Sequence, residues 1–143
     1  MIEGLTKTSA NYTILVVDDE ELIRNLVTTF LSRLGYSSLT AIDGVDALNK
    51  MKENSIDVVI TDVIMPNMDG ITLTTEISKQ YPDCPIMVIT AFDEEYSAGT
   101  AISVGAREFI KKPFSIEEFA IRLQKMINDS ETLRRLRYEK KPE

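Results

Sequence analysis

Acidic, hydroxyl and basic side chains stand at the ends of four apolar runs in this sequence. In chain order they are Asp18, Asp19, Asp62, Thr90 and Lys112. Three carboxylates in one place would repel one another, each pair by about 4 kcal/mol at 4 Å and an effective dielectric of 20. Such a cluster needs a cation, and oxygen ligands without histidine or cysteine suit a hard ion such as Mg²⁺. With a lysine and a hydroxyl donor beside it, the cluster predicts a site for a phosphoryl group.

One of these carboxylates is a candidate nucleophile, because a carboxylate can attack phosphorus and form an aspartyl-phosphate. Asp62 is the best candidate since it stands alone after its apolar run, whereas the Asp18–Asp19 pair is better placed to hold the ion. Metal and lysine would then stabilise the charge on the transferring group. Plainer interpretations exist for single residues: Asp19 as a helix N-cap, Thr90 as an ordinary strand residue and Lys112 as a solvated lysine.

Composition excludes several function classes. The 143 residues include 23 acidic and 16 basic side chains, and the net charge of -7 disfavours nucleic-acid binding. The sequence has no histidine, which excludes Ser-His-Asp and Cys-His mechanisms and a phosphohistidine on this chain. A single cysteine, Cys84, excludes an intramolecular disulfide. No apolar run approaches the roughly 18 residues of a membrane span, so we expect a cytoplasmic protein without membrane contact.

The elements that must position these residues are predicted from alternating strand and helix patterns. We expect strands at Thr13–Val17, Ser38–Ala41, Val58–Thr61, Ile86–Thr90 and Glu108–Lys111. The first, third and fourth runs are continuously apolar, as in strands that are covered on both faces. The pattern therefore predicts an α/β fold, a doubly wound five-stranded parallel sheet with helices on both faces. The carboxyl ends of parallel strands meet at one edge, which would bring the polar residues together.

Five helices are predicted from apolar residues at helical spacing. Their apolar faces comprise Leu22 to Leu34 with Gly35 as the stop signal, then Val45, Leu48 and Met51, then Leu73, Ile77 and Tyr81, then Ala98, Ala101 and Ile102, and finally Ile116, Phe119, Leu123, Met126 and Ile127. The fourth helix, from about Glu94 to Val104, contains Gly99, and interior glycine costs about 1 kcal/mol against alanine. We expect it to be the least stable. Ser115 and Glu118 form a capping-box pattern before the fifth helix.

The last residues of the chain, 129–143, have two interpretations. The stripe of the fifth helix continues to Leu133 and Leu136, and Glu131 and Arg135 have the spacing of a favourable i,i+4 pair. Either the helix extends and packs against a second subunit of a homodimer or a following domain, or the tail is frayed. The sequence thus divides into a tail at 1–11, a domain at 12–128 and this extension or linker.

Four longer stretches resemble the receiver domains of bacterial two-component response regulators, the CheY-like family. They are Leu15–Glu20, Asp57–Gly70, Pro85–Ala91 and Gly105–Phe114, in the family's order and spacing. The resemblance covers the chain from about Tyr12 to Asn128. It implies the flavodoxin-like strand order 2-1-3-4-5. It also implies a protein that is not an enzyme in the usual sense, and that catalyses only its own Mg²⁺-dependent phosphorylation and dephosphorylation.

The resemblance also implies a role for each residue of the site. Asp62 would be the phosphoacceptor. The implied Mg²⁺ ligands are Asp18, Asp19, Asp62 and the backbone carbonyl of Ile64. Thr90 and Lys112 would bind the phosphoryl group after transfer. Phe109 stands at the position of the family's aromatic switch residue, although a phenylalanine fits a plain core position equally well.

The implied phosphoryl donor is a sensor histidine kinase or a phosphotransfer protein that acts in trans. The output is either a downstream protein bound by a stand-alone receiver or a C-terminal output domain of a longer regulator. Two other classes agree poorly with the residues. A haloacid-dehalogenase-type phosphatase needs a second acid two residues past its nucleophile, where this chain has Ile64. A flavin-binding module needs a phosphate loop after the first strand, where this chain has Asp-Asp-Glu-Glu.

Overall fold

Strands and helices alternate along the chain in the computed structural model, which describes residues 11–91 and 95–139 and, for 95–98, the backbone alone. The strands are β1 (Thr13–Val17), β2 (Ser37–Ala41), β3 (Val58–Asp62), β4 (Ile86–Thr90) and β5 (Glu108–Lys111). The helices are α1 (Glu21–Arg33), α2 (Gly44–Glu53), α3 (Gly70–Gln80), α4 (Glu95–Ser103) and α5 (Ile116–Glu139). The predicted strands are confirmed, and β2 and β3 are each one residue longer than predicted.

The strands form a parallel sheet in the order β2-β1-β3-β4-β5. This confirms the doubly wound fold and the order 2-1-3-4-5. The three central strands are buried almost throughout, because helices cover both faces of the sheet. One face packs against α1 and α5 around Phe119, and the other packs against α2, α3 and α4 around Leu73.

The predicted apolar face of α2 is confirmed at Leu48 and Met51 and is wrong at Val45. Gly44, Ala47 and Met51 are buried, whereas Val45 is 49% exposed. The buried residues are three and four positions apart and share one side of the helix, and Val45 lies 200° around the axis from Ala47. The small residues let α2 approach the sheet, and Val45 is turned to solvent.

The fourth helix is confirmed at Glu95–Ser103, its predicted apolar face is partly wrong, and its low stability stays a prediction. Ala101 is buried, but Ile102 is 43% exposed. Two parts of this prediction, Glu94 and the side chain of Ala98, lie outside the described residues. A Cβ added at Gly99 would meet no atom within 4 Å, so close packing does not explain a glycine at this position.

The helix ends decide two further predictions. The N-cap of α1 is Glu20, without a side-chain cap hydrogen bond, so the interpretation of Asp19 as an N-cap is wrong. The amide of Glu118 donates to Ser115 Oγ at 3.1 Å, which confirms Ser115 as the cap of α5. Gly35, after the end of α1, has a φ of 92°, a backbone conformation that favours glycine.

Helix α5 continues without a break past Asn128 to Glu139. Leu133 and Leu136 are 51% and 45% exposed. The predicted Glu131–Arg135 pair is not formed in the described structure, where Glu131 Oε1 accepts the Tyr12 hydroxyl at 2.5 Å. The role of this extension as an interface or linker stays a prediction. Within the described residues, no helix combines the length and the apolar character needed to cross a bilayer.

Candidate functional site

The carboxyl-terminal edge of the sheet brings the three predicted acidic residues together. Asp18 and Asp19 follow β1, and Asp62 is the last residue of the neighbouring strand β3. One carboxylate oxygen from each residue lies within 4.8 Å of the other two. Asp18 and Asp62 are buried, whereas Asp19 is exposed. The cluster is therefore a largely buried pair of carboxylates with a third carboxylate at the surface.

The Asp18 carboxylate is incompletely hydrogen-bonded. Its Oδ1 accepts the Glu20 amide at 2.9 Å, and its backbone carbonyl accepts Arg24 Nη1 at 2.7 Å. Its Oδ2 is buried and has no hydrogen-bond partner among the described residues. Burial is the main reason that the pKa of Asp18 is raised. A buried carboxylate oxygen without a partner is costly, and a bound cation would remove that cost.

The charged side chains at this edge of the sheet act on Asp62. Burial and then the charge of Asp18 raise its pKa to about 6, while Lys112 acts in the opposite direction. The Lys112 ammonium lies 3.6 Å from Asp62 Oδ1. At neutral pH Asp62 is therefore mostly ionised, as a nucleophile must be. One lysine leaves the three carboxylates with a net negative charge.

Thr90 and Lys112 occupy the same edge of the sheet on the side of β4 and β5. Thr90 is the last residue of β4, and its carbonyl accepts the Lys112 amide at 2.8 Å. The Thr90 side chain is fully buried, and its hydroxyl has no hydrogen-bond partner among the described residues. The Lys112–Pro113 peptide bond is cis. The edge thus holds an unused hydroxyl donor and a cation next to an ionised acid.

Phe109 and Ile64, the remaining predicted residues, do not belong to the acid cluster. Phe109 is a half-buried residue of β5, and the guanidinium carbon of Arg122 lies 5.7 Å from its ring centroid. Arg122 also donates to the carbonyl of Phe109 at 3.2 Å and to Glu108 at 3.1 Å. The Ile64 side chain is 63% exposed. Sequence reasoning missed Arg122, although its i,i+4 spacing from Glu118 was a readable signal.

The donor set of the cluster suits a hard divalent cation. Its ligand atoms are carboxylate oxygens, with no histidine in the chain and the half-buried Cys84 elsewhere. The orphaned Oδ2 of Asp18 has the chemistry of a vacant ligand atom. Oxygen-only clusters of this kind favour Mg²⁺, Ca²⁺ or Mn²⁺ over zinc and copper. The residues present therefore fit a metal.

Comparison with known proteins agrees with this geometry. Residues 14–124 match the family model of the response regulator receiver domain. The alkaline phosphatase synthesis transcriptional regulatory protein PhoP of Bacillus subtilis is 39% identical over 121 residues, which are 85% of this chain and 50% of that protein. The probable transcriptional regulator ycf27 of Cyanidium caldarium is 40% identical over 119 residues, 83% of this chain and 47% of that one.

A solved structure gives the same result. The receiver domain of NtrX from Brucella abortus superposes with a TM-score of 0.78 at 35% identity, covering 80% of this chain and 98% of that one. The chain belongs to the receiver domains of two-component response regulators, a family whose members act as phosphoacceptors. It spans about half the length of the curated relatives that it matches.

Proposed function

We propose that Asp62 is the phosphoacceptor of this receiver and that the chain works as a phosphorylation-controlled switch. One observation carries the proposal: an ionised, mostly buried carboxylate lies 3.6 Å from the Lys112 ammonium and within 4.8 Å of two further acids. A surface aspartate selected for solubility has no need of such surroundings. Phosphoryl transfer to an acid needs all of them.

The metal in this proposal is Mg²⁺. Its proposed ligands are Asp18, Asp19, Asp62 and the backbone carbonyl of Ile64. When bound, Mg²⁺ neutralises negative charge on the carboxylates and on the phosphoryl oxygens. The chain's own residues do the rest: the Glu20 amide and Arg24 orient Asp18, and the sheet fixes Asp62 opposite Lys112.

The proposed reaction moves one phosphoryl group from a donor in trans. An Asp62 oxygen forms a bond to phosphorus while the P–N bond of a phosphohistidine breaks, and the electron pair of that bond stays on the imidazole nitrogen. The donor is a histidine kinase or a phosphotransfer protein, since this chain has no histidine. Lys112 pairs with the new phosphoryl oxygens, and the Thr90 hydroxyl donates to one of them. In this proposal the chain catalyses only its own phosphorylation and dephosphorylation.

The output of the switch is a change in the face around Phe109. Movement of Thr90 toward the phosphoryl group would open space behind β4, next to Phe109 in β5. The partner is a downstream protein or an output domain of a longer regulator. The second possibility draws support from relatives named as transcriptional regulators, which are about twice as long as the matched region.

The test is Asp62→Asn, with Asp69→Asn as its matched control. Asn has nearly the same shape as Asp but no nucleophilic carboxylate. Asp69 lies on the same loop, is exposed and caps α3 through the Thr72 amide at 2.7 Å, a role that Asn also fills. With acetyl phosphate and Mg²⁺, we expect wild type and Asp69→Asn to gain one phosphoryl group by intact mass, and Asp62→Asn to gain none.

Borohydride reduction of the aspartyl-phosphate, followed by mapping of the modified peptide, identifies the residue that carries the phosphoryl group. Undiminished phosphorylation of Asp62→Asn would show that another residue is the acceptor. A wild-type protein that stays unmodified at every Mg²⁺ concentration, with every donor tried, would contradict the proposed function as a whole.

A further inference from the structure

The loop after the candidate acceptor, residues 63–69, is tied to a part of the fold that contributes no residue to the acid cluster. Asn67 Nδ2 donates a hydrogen bond of 2.8 Å to Asp43 Oδ2. Asp43 is the N-cap of α2 and lies 24 positions before Asn67 in the sequence. A hydrogen bond between two side chains this far apart in the chain fixes one loop relative to the other.

Asp43 uses its two carboxylate oxygens for two different partners. Its Oδ1 accepts the Asp46 amide at 2.8 Å and caps α2, while its Oδ2 accepts Asn67. These two hydrogen bonds lower the pKa of Asp43, and the residue is buried. Asp46 makes a second contact at this helix end, where its Oδ2 accepts the Ile42 amide at 3.0 Å. The cap alone would be satisfied by serine or threonine. The second carboxylate oxygen of Asp43 is used for the hydrogen bond to the loop.

The backbone of Asn67 is in a conformation that needs support. Its φ is 69°, and the Met68 amide donates to the Pro66 carbonyl at 2.7 Å, so the three residues form a tight γ-like turn. Side chains other than glycine rarely adopt such a φ, and surrounding contacts must hold them there. The hydrogen bond to Asp43 is such a contact. Met68 adds another, because a Cβ on Gly44 would come within 2.8 Å of its side chain.

The other end of the loop is fixed to the acceptor itself. The Gly70 amide donates to the Val63 carbonyl at 2.7 Å, and a Cβ on Gly70 would lie 2.0 Å from the Asp62 carbonyl oxygen. Met65 is buried in the core beneath. The backbone of Ile64 therefore lies between two fixed points, Asp62 with Gly70 on one side and Asn67 with Asp43 on the other.

From this juxtaposition we infer that Asp43 and Asn67 are positioning residues for the metal site: their hydrogen bond holds the loop so that the carbonyl of Ile64 is presented next to Asp62. The inference rests on the proposed function, in which that carbonyl is a ligand. The start of α2 thus contributes to cation affinity, although Asp43 does not belong to the acid cluster.

The test separates the hydrogen bond from the helix cap and from the backbone conformation. Asp43→Ser keeps a cap for α2 but cannot bind Asn67, and Asn67→Gly keeps the positive φ but removes the donor. Asp43→Asn is the rescue variant, because its amide can cap α2 and still pair with the Asn67 amide after that amide turns over. Asp46→Ala is the matched control, since it removes the Ile42 contact at the same helix end and leaves the loop contact intact.

Two measurements are made on each variant. In the absence of Mg²⁺, hydrogen exchange at the Met68 and Gly70 amides should become about tenfold faster in Asp43→Ser and Asn67→Gly. The Mg²⁺ concentration for half-maximal phosphorylation by acetyl phosphate should rise about tenfold in the same two variants, while the rate at saturating Mg²⁺ changes less than about twofold. Asp43→Asn should restore wild-type values, and Asp46→Ala should not differ from wild type in either measurement.

Several results would overturn the inference. Unchanged loop exchange in Asp43→Ser would show that the hydrogen bond does not hold the loop. Faster exchange with an unchanged Mg²⁺ requirement would show a structural contact with no part in cation binding. Non-additive effects in the Asp43→Ser, Asn67→Gly double variant are expected, and full additivity would contradict a shared contact. If wild type shows no Mg²⁺ dependence, the proposed function itself fails, whatever the exchange data show.

Discussion

The two edges of the parallel sheet differ in whether their buried polar side chains have hydrogen-bond partners. At the carboxyl-terminal edge, Asp18 Oδ2 and the Thr90 hydroxyl are buried without a hydrogen-bond partner among the described residues. Asp62 lies among like charges there, and its pKa is raised to about 6. Each of these features destabilises the folded protein before any ligand binds.

At the amino-terminal edge, polar groups of comparable burial have partners. The Tyr12 hydroxyl donates to Glu131 at 2.5 Å, and Arg107 Nη1 donates to the buried Ser130 at 3.0 Å. Arg107 Nη2 also reaches the Pro82 carbonyl at 3.2 Å. The extension of α5 supplies two of these partners. The sheet is therefore closed at one edge by its own side chains and left incomplete at the other, where an ion and a phosphoryl group would complete it.

The largest expected effect is at the incomplete edge: Asp62→Asn should make the metal-free protein more stable at pH 7.5. The folded-state pKa of Asp62 is raised from an ordinary 3.8 to about 6, which corresponds to at most about 3 kcal/mol of destabilisation by the ionised form. Urea unfolding in the presence of a chelator measures this effect. Asp69→Asn, the same chemical change on an exposed residue, should alter stability by less than about 0.5 kcal/mol.

The pH dependence follows from the sign of that shift. Between pH 3.8 and about 6 the folded protein retains a proton on Asp62 that the unfolded chain has released. The stabilisation from that proton is complete below the lower value and is lost as the pH rises through the higher one. The advantage of Asp62→Asn over wild type should therefore grow from pH 4 to pH 7.5. A difference between the two proteins that is constant with pH would refute the raised pKa.

A smaller gain is expected from Thr90→Val, which removes the unpartnered hydroxyl while keeping a branched side chain. A buried polar group without a partner costs about 1–3 kcal/mol, so we expect a gain of about 1–2 kcal/mol in the unfolding free energy. The matched control is Thr61→Val on the neighbouring strand, where the hydroxyl donates to the Asp62 carbonyl at 2.9 Å. That variant should show no gain.

The same Thr90→Val protein tests the proposed coupling to Phe109. With beryllofluoride as a phosphoryl mimic, the amide chemical shifts around Phe109 should change in wild type and not in the variant. Full shift changes in Thr90→Val would show that the hydroxyl does not link the site to β5. A loss of stability would show that the hydroxyl does have a partner in solution.

The incomplete edge was the more predictable one from sequence, for a physical reason. Each of its residues stands at the end of an apolar run, and a parallel sheet brings the ends of its strands together. The sequence alone therefore places Asp18, Asp62, Thr90 and Lys112 at one edge. The cis peptide at Lys112–Pro113 and the unsatisfied atoms depend on side-chain packing, which strand order does not specify.

The closed edge could not be predicted in the same way. The sequence permits two interpretations of the extension of α5, a helix or a frayed tail, because it shows no core that Leu133 and Leu136 could enter. In the structure the extension docks through Ser130 and Glu131, while Leu133 and Leu136 stay about half exposed. Serine and glutamate at such positions look like solvated residues in a sequence. Their partners, Arg107 and Tyr12, are more than 20 positions away, and no local pattern connects them.

The smallest expected effect is a loss at this closed edge: Tyr12→Phe should lower the unfolding free energy by about 1 kcal/mol, because it deletes the donor to a half-buried carboxylate. Tyr36→Phe is the matched control, because it removes the same hydroxyl from the neighbouring tyrosine. The Tyr36 ring packs against Tyr12 with ring centroids 6.2 Å apart, and burial is the cause of the raised pKa of Tyr36. Burial and the contact with Glu131 also raise the pKa of Tyr12, so the stability that its hydroxyl supplies is complete below the usual tyrosine pKa of 10.0 and is lost as the pH rises above it. Above that value the unfolded chain has released a phenol proton that the folded chain keeps, so the loss caused by Tyr12→Phe should be constant from about pH 7 to about pH 9 and should diminish above pH 10.0. Urea unfolding across that range checks this. A Tyr12→Phe protein as stable as Tyr36→Phe would show that the contact between Tyr12 and Glu131 does not help to dock the extension of α5, and the closed edge would then rest on the contact between Arg107 and Ser130.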